Sequence, residues 1–148
     1  VELLVIAAII MLIASIAIPS LMRSRIAANE AAAAATLRTI NTAESAYYAA
    51  YQDLGYSKSL AALSSGGGNC ASPNSGAACL IDETLAAGLK DGYSFTYTPE
   101  TSGTLTSNYS VNANPQNAAT GVKTFFTDQS AVIRADSGRQ ASGTSAPI

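Results

Sequence analysis

The chain has 148 residues and neither histidine nor tryptophan. Without His it lacks the commonest general base and the commonest metal ligand. Histidine-based triads, His-bearing zinc sites and c-type haem attachment are excluded. Charge is also scarce. Asp, Glu, Lys and Arg together make up 12% of the residues, against about 25% in an ordinary soluble protein. The net charge is −2, so no basic surface for nucleic acid is expected. No nucleophile–base pair can be assembled from what remains. No catalytic residue, metal or cofactor is therefore assigned, and a binding, anchoring or structural role is left.

What the chain does have is a long apolar start. After Glu2 no charge occurs until Arg23, and residues 3–18 are interrupted only by Ser15. Carried to Met22, a helix at 1.5 Å per residue spans roughly 30 Å, which equals the hydrocarbon thickness of a bilayer. Arg23 and Arg25 close the run with positive charge. A secretory signal peptide would place bases before the run and a small-residue cleavage site after it. Here the acid comes first and the bases last. A plain membrane anchor fits the run but gives Glu2 no role. A carboxylate at mid-bilayer costs about 2.5–3.5 kcal/mol on insertion scales, which makes Glu2 a functional candidate.

The helical pattern continues beyond the arginines. Ile26, Leu37, Ile40, Ala43, Tyr47, Tyr51 and Leu54 recur at helical spacings and predict one face. Residues 28–35 are rich in alanine, the best helix former. Arg38, Asn41, Ser45 and Gln52 are expected on the opposite face, and Gly55 as the stop. The tyrosines are expected to anchor the helix to a sheet rather than to form an electron-conducting stack. A helix over residues 1–54 is roughly 80 Å long, while the rest of the chain makes a globule roughly 30 Å across. Half the helix therefore projects, and it is the apolar half. That half needs a membrane or further copies of the chain around it. Pro19 removes one backbone donor from it and predicts a kink or an unwound stretch between Ser15 and Pro19.

After Gly55 the composition shifts. Residues 55–91 read as a loop region carrying Cys70 and Cys79, followed by a short helix near residues 80–87. Two cysteines nine positions apart, with no His, make a poor metal site. Outside the cytoplasm they pair as a disulfide; the alternative is two reduced thiols. Asp82 and Glu83 suit a helix start better than a calcium site. Residues 92–135 switch to period-two alternation and predict about four antiparallel strands, at 93–98, 106–113, 122–127 and 131–134. Residues 136–148 are rich in Ser, Gly and Thr and read as a weakly ordered tail. The fold class is α+β, a long helix on a small antiparallel sheet.

The segment Val1-Glu2-Leu3-Leu4-Val5-Ile6-Ala7-Ala8-Ile9-Ile10, with Ile16-Ala17-Ile18-Pro19 after it, resembles the start of a mature bacterial type IV pilin. The resemblance rests on one Glu, a nearly unbroken apolar run, and a Pro seventeen positions after the Glu. It covers about the first 30 residues closely and the remainder as an architecture. It implies a leader cut by a prepilin peptidase, residence in the inner membrane, and extraction by the pilus assembly machinery into an extracellular helical homopolymer. Glu2 would pair with the terminal amine of a neighbouring subunit, and Pro19 would mark where the helix unwinds on assembly. Leu3, Leu4, Ile6, Ile9, Ile10, Leu12, Ile13, Ile16 and Ile18 would pack in the filament core. In the family four residues precede the Glu, whereas only Val1 does so here, so about three residues are expected to be missing. The cysteine pair also departs from the pattern, since many pilins staple a loop nearer the C-terminus.

The implied functions are adhesion, twitching motility or DNA uptake. A type II secretion pseudopilin, which forms a short periplasmic fibre, is a close alternative. A membrane-anchored extracytoplasmic binding module that never polymerises is the more distant one.

Overall fold

Helix α1 runs over Glu2–Ala50 in a computed structural model that describes the whole chain, Val1–Ile148. Only its second half is packed. Ala33, Ala34, Leu37, Ile40, Ala43 and Tyr47 are buried at three- and four-residue intervals, the stripe expected of one helix face. They lie against one face of an antiparallel sheet. Its strands are β1 (Leu89–Lys90), β2 (Tyr93–Ser102), β3 (Leu105–Pro115), β4 (Lys123–Asp128), β5 (Arg134–Ser137) and β6 (Ala146–Pro147), paired in sequence order. Tyr93 and Phe95 of β2, Tyr109, Val111 and Ala113 of β3, and Phe125 of β4 supply the sheet side of the core. The chain is thus α+β, as the alternating pattern predicts, with six strands instead of four.

The differences from the sequence reading have local causes. The helix ends at Ala50, not at 54. Leaving it early lets Leu54 O accept from Thr106 N (2.9 Å) and Tyr56 N donate to Thr106 O (3.0 Å). The backbone at Gly55 therefore lies directly on β3. Its φ is +78°, and a Cβ there would sit 2.2 Å from Thr106 O. Gly55 is needed for this approach rather than as a helix cap. The strand expected to end at residue 98 runs on, so Pro99 lies inside β2 opposite Tyr109. The short β1 pairs only with Tyr93 and Ser94, so Pro99 occupies an edge where no donor is required.

No unwound stretch precedes Pro19; α1 is helical on both sides of it. One missing donor does not end a helix held by the ladder bonds around it. The tail is ordered too, since it carries β6 and part of β5. Asn112 Nδ2 donates to Ala141 O (2.8 Å), Ala141 N donates to Thr124 Oγ1 (2.9 Å), and Arg134 Nη1 donates to Ser145 O (2.9 Å). These clamps come from strand side chains, which the tail's own composition does not announce. The helix near residues 80–87 shrinks to α3 (Glu83–Ala86), and a further turn, α2 (Leu60–Leu63), forms before it. Asp82 caps α3, accepting from Leu85 N (2.7 Å), so its helix-start role is met.

Three polar residues of α1 are buried, Thr36, Asn41 and Glu44, and the last two bond to other elements. Asn41, expected to face solvent, donates to Thr127 Oγ1 (2.9 Å) and accepts from Tyr109 OH (3.1 Å). Glu44 is fully buried. Its carboxyl accepts from Ser57 N (3.0 Å), Ser57 Oγ (2.5 Å) and Tyr97 OH (2.7 Å). It therefore joins α1, the 51–59 segment and β2 at one point. Burial raises its pKa above the ordinary 4.5, and the three donors offset this only in part. Beside it, burial and the Glu44 charge push the Tyr97 hydroxyl well up.

A raised carboxyl favours the folded state most when protonated. Glu44's contribution is complete below about pH 4.5 and is lost as pH rises through its native pKa. In Glu44→Gln the falling slope of stability above pH 4.5 should flatten, while Glu44→Ala should cost about 2–4 kcal/mol at any pH by stranding buried donors. Denaturant titrations of the detergent-solubilised chain at several pH values check both. Gly55→Ala should cost at least about 2 kcal/mol through backbone strain and the collision with Thr106 O, read by the same unfolding assay.

Candidate assembly interface

The first half of α1 touches nothing. Leu3 is 82% exposed and Ile16 70%, and Leu4, Ile6, Ile9, Ile10, Leu12, Ile13 and Ile18 are exposed as well. These residues cover every side of the helix rather than one stripe. A helix apolar all round belongs inside a bilayer or a bundle. This is a helix long and apolar enough to cross a membrane. Its most apolar eighteen-residue window has a mean hydropathy of 2.7, and none of that window is buried. Each such side chain gains about 1.5–3 kcal/mol when covered, so covering the stem is worth on the order of tens of kcal/mol.

Glu2 opens the helix and is the acid of its first turn. No cation lies within ion-pair distance of it in the single chain. Pro19 sits inside the stem, and Ser15 Oγ donates to Leu12 O (2.7 Å) just before it. Arg23 and Arg25 close the apolar run, also without a carboxylate partner. The structure thus places the nine apolar residues, Glu2 and Pro19 on one unpartnered stem.

The stem meets the head through a neck that sequence reasoning missed. Asn29 Nδ2 donates to Thr120 O (3.1 Å). Glu30 Oε1 accepts from Val122 N (3.1 Å) and Lys123 N (3.2 Å), and Lys123 Nζ lies 3.6 Å from Glu30 Oε2. These two polar residues fasten the helix to the loop before β4, just below the buried stripe. A signal existed: Asn29-Glu30 is the only polar pair in an alanine-rich stretch.

The cysteines lie in the head, away from the stem. Cys70 and Cys79 form a disulfide with their Cα atoms 5.8 Å apart. Closing a loop of roughly ten residues is worth about 2.5–3 kcal/mol on the chain-entropy account. Tyr47 of α1 donates its hydroxyl to Ser75 O (2.8 Å) inside that loop, which ties the disulfide segment to the core helix. Nearby, Lys90 Nζ lies 2.6 Å from Asp82 and, with Thr84 and Leu85 N, holds that carboxyl at about 2. Six of the seven tyrosines pack in or against the core, and Tyr48 is exposed. Tyr47, Tyr93 and Tyr109 are buried, and Tyr56 and Tyr97 pack at 4.9 and 5.8 Å from the Tyr109 ring.

No protein-family model, curated protein or solved structure matches the chain.

A charge within the stem should weaken its affinity for an apolar surrounding. Leu12→Lys is expected to weaken partition into lipid vesicles by about 2.5–3.5 kcal/mol, roughly a hundredfold, with the head still folded. Vesicle flotation together with near-ultraviolet dichroism reads both effects.

Proposed function

We propose that the chain is a structural subunit of a type IV pilus-like filament. It polymerises through residues 1–22 and displays residues 29–148 as the filament surface. The observation that carries this reading is the stem: a projecting helix, apolar on every side, with one acid at its outer end. A bilayer accounts for the apolar surface but leaves Glu2 without a function. A homopolymer accounts for both, because the same stem serves as surface and as partner. In the low-dielectric core of such a bundle a carboxylate needs a counter-charge. The terminal amine of a neighbouring copy supplies one and fixes the axial register of the two subunits.

On this reading the chain resides in the inner membrane before assembly, and the pilus machinery moves it into an extracellular polymer. The resemblance of its start to mature pilins supports the order of events. The filament would serve adhesion, motility or DNA uptake. The α+β head with a helix continuous into the stem suits a load-bearing subunit, since tension on the stem passes into the core helix.

Glu2→Ala should leave membrane insertion intact and lower the yield of filaments sheared from expressing cells at least tenfold. The expected loss of about 3–5 kcal/mol per contact is that of breaking a buried ion pair. Immunoblots of the membrane and sheared fractions measure the two effects separately. Normal filament yield in this variant contradicts the proposed pairing. Recovery of the wild-type chain only from the cell envelope would favour a pseudopilin or a plain anchor.

A further inference from the structure

The largest cavity of the chain lies where the stem enters the head. It is an open groove of about 770 Å³ between α1 and the β4–β5–β6 end of the sheet. Ala27, Ala31 and Ala34 form its helix wall, spaced four and three residues apart on one face. Their small side chains let another backbone approach closely. The opposite wall carries Phe125 and Ile148, and Ile148 is 60% exposed although its backbone is bonded to Ile133. Two carboxylates line the groove, Glu30 and Asp136, against one ammonium, Lys123. The carboxylates are mostly covered (14% and 19% exposed), whereas their cations splay outward: Lys123 is 53% exposed and Arg139 84%, at 3.6 and 3.4 Å. The groove thus offers an apolar trough with acid set into its walls.

We infer that this groove receives the arginine end of a second copy's stem, with Arg25 of that copy on Asp136 and its Ile18, Leu21 and Met22 in the trough. The inference rests on the polymer reading above and adds a specific contact to it. Three observations select this occupant. The groove is continuous with the exposed stem, so a parallel neighbour shifted along the stem axis reaches it with its own stem. Ile18, Leu21, Met22 and Arg25 share one helix face by their spacing, and all three apolar members are exposed. Arg25 has no carboxylate partner in the isolated chain, while each groove carboxylate is held by a single, mostly exposed cation, Lys123 on Glu30 and Arg139 on Asp136, which an incoming guanidinium can join or displace. Arg23 points roughly opposite to this face and is not part of the contact. Matching residues 18–25 of one copy to the level of residues 27–34 of the other sets a stagger of roughly 10–15 Å along the stem.

Charge exchange tests the contact in cells expressing the full chain. Arg25→Glu and Asp136→Arg should each lower sheared filament yield at least tenfold, and the double exchange should restore it. Arg23→Glu carries the same charge change on the other face and should leave the yield unchanged. A second measurement does not depend on how Asp136→Arg folds. Met22→Cys with Ser137→Cys, in an otherwise native chain, should give ladders of cross-linked subunits with a short bis-maleimide, because the native cysteines are already bonded to each other. Filaments with normal yield in Arg25→Glu and no ladder would overturn the groove contact while leaving polymerisation intact. A loss in Arg23→Glu equal to that in Arg25→Glu would also overturn it. Absence of both filaments and ladders in the parent background would overturn the contact together with the polymer reading.

Discussion

Everything in this chain depends on one helix meeting two surroundings. Its second half has a partner on one face, and the buried stripe from Ala33 to Tyr47 seats it on the sheet. Its first half has no partner on any face. The covering of that half is worth on the order of tens of kcal/mol, far more than the 5–15 kcal/mol that typically holds a domain folded. The isolated molecule is therefore an incomplete object. What completes it must be apolar, elongated and able to accommodate one carboxylate. A second copy of the same stem meets all three conditions.

The head is built so that the helix cannot slip on the sheet. Packing alone would tolerate small shifts along the helix axis, since alanine-rich ridges are shallow. Directional polar contacts remove that freedom. Glu30 grips two backbone donors before β4, Asn41 bonds to β3 and β4, and Glu44 gathers Ser57 and Tyr97. The three lie along one helix and reach different strands or loops. Gly55 then brings the returning chain onto β3 at a separation no side chain would allow. The disulfide segment closes the far end against Tyr47.

The sequence was most legible where a pattern repeats. The apolar run from Leu3 to Ile18, the helical spacing of Leu37, Ile40, Ala43 and Tyr47, and the alternation of Tyr93, Phe95 and Tyr97 each announce an element through its period. Two cysteines without a His beside them pointed to a disulfide over a metal site, with reduced thiols as the alternative, and the bond is formed. What stayed hidden depends on contacts between distant residues. Asn41 and Glu44 look like surface residues of an amphipathic helix until their partners on the sheet are known. The tail looks disordered until Asn112, Thr124 and Arg134 reach it from the strands. Gly55 reads as a helix stop by type, while its actual requirement comes from Thr106, fifty-one positions away. Of the stem, the apolar residues, Glu2 and Pro19 were visible from the start. The neck at Asn29-Glu30 and the groove beside it were not, because the groove exists only once α1, β5 and β6 are assembled.

The most direct test is cryo-electron microscopy of material sheared from expressing cells, with mass spectrometry of the same fraction. Thin helical filaments composed mainly of this chain are the expected result. Stem helices would be bundled at the axis, with each Glu2 beside the amine of a neighbouring subunit. Filaments lacking the chain, or a chain found only as a monomer in the membrane fraction, would contradict the polymer reading.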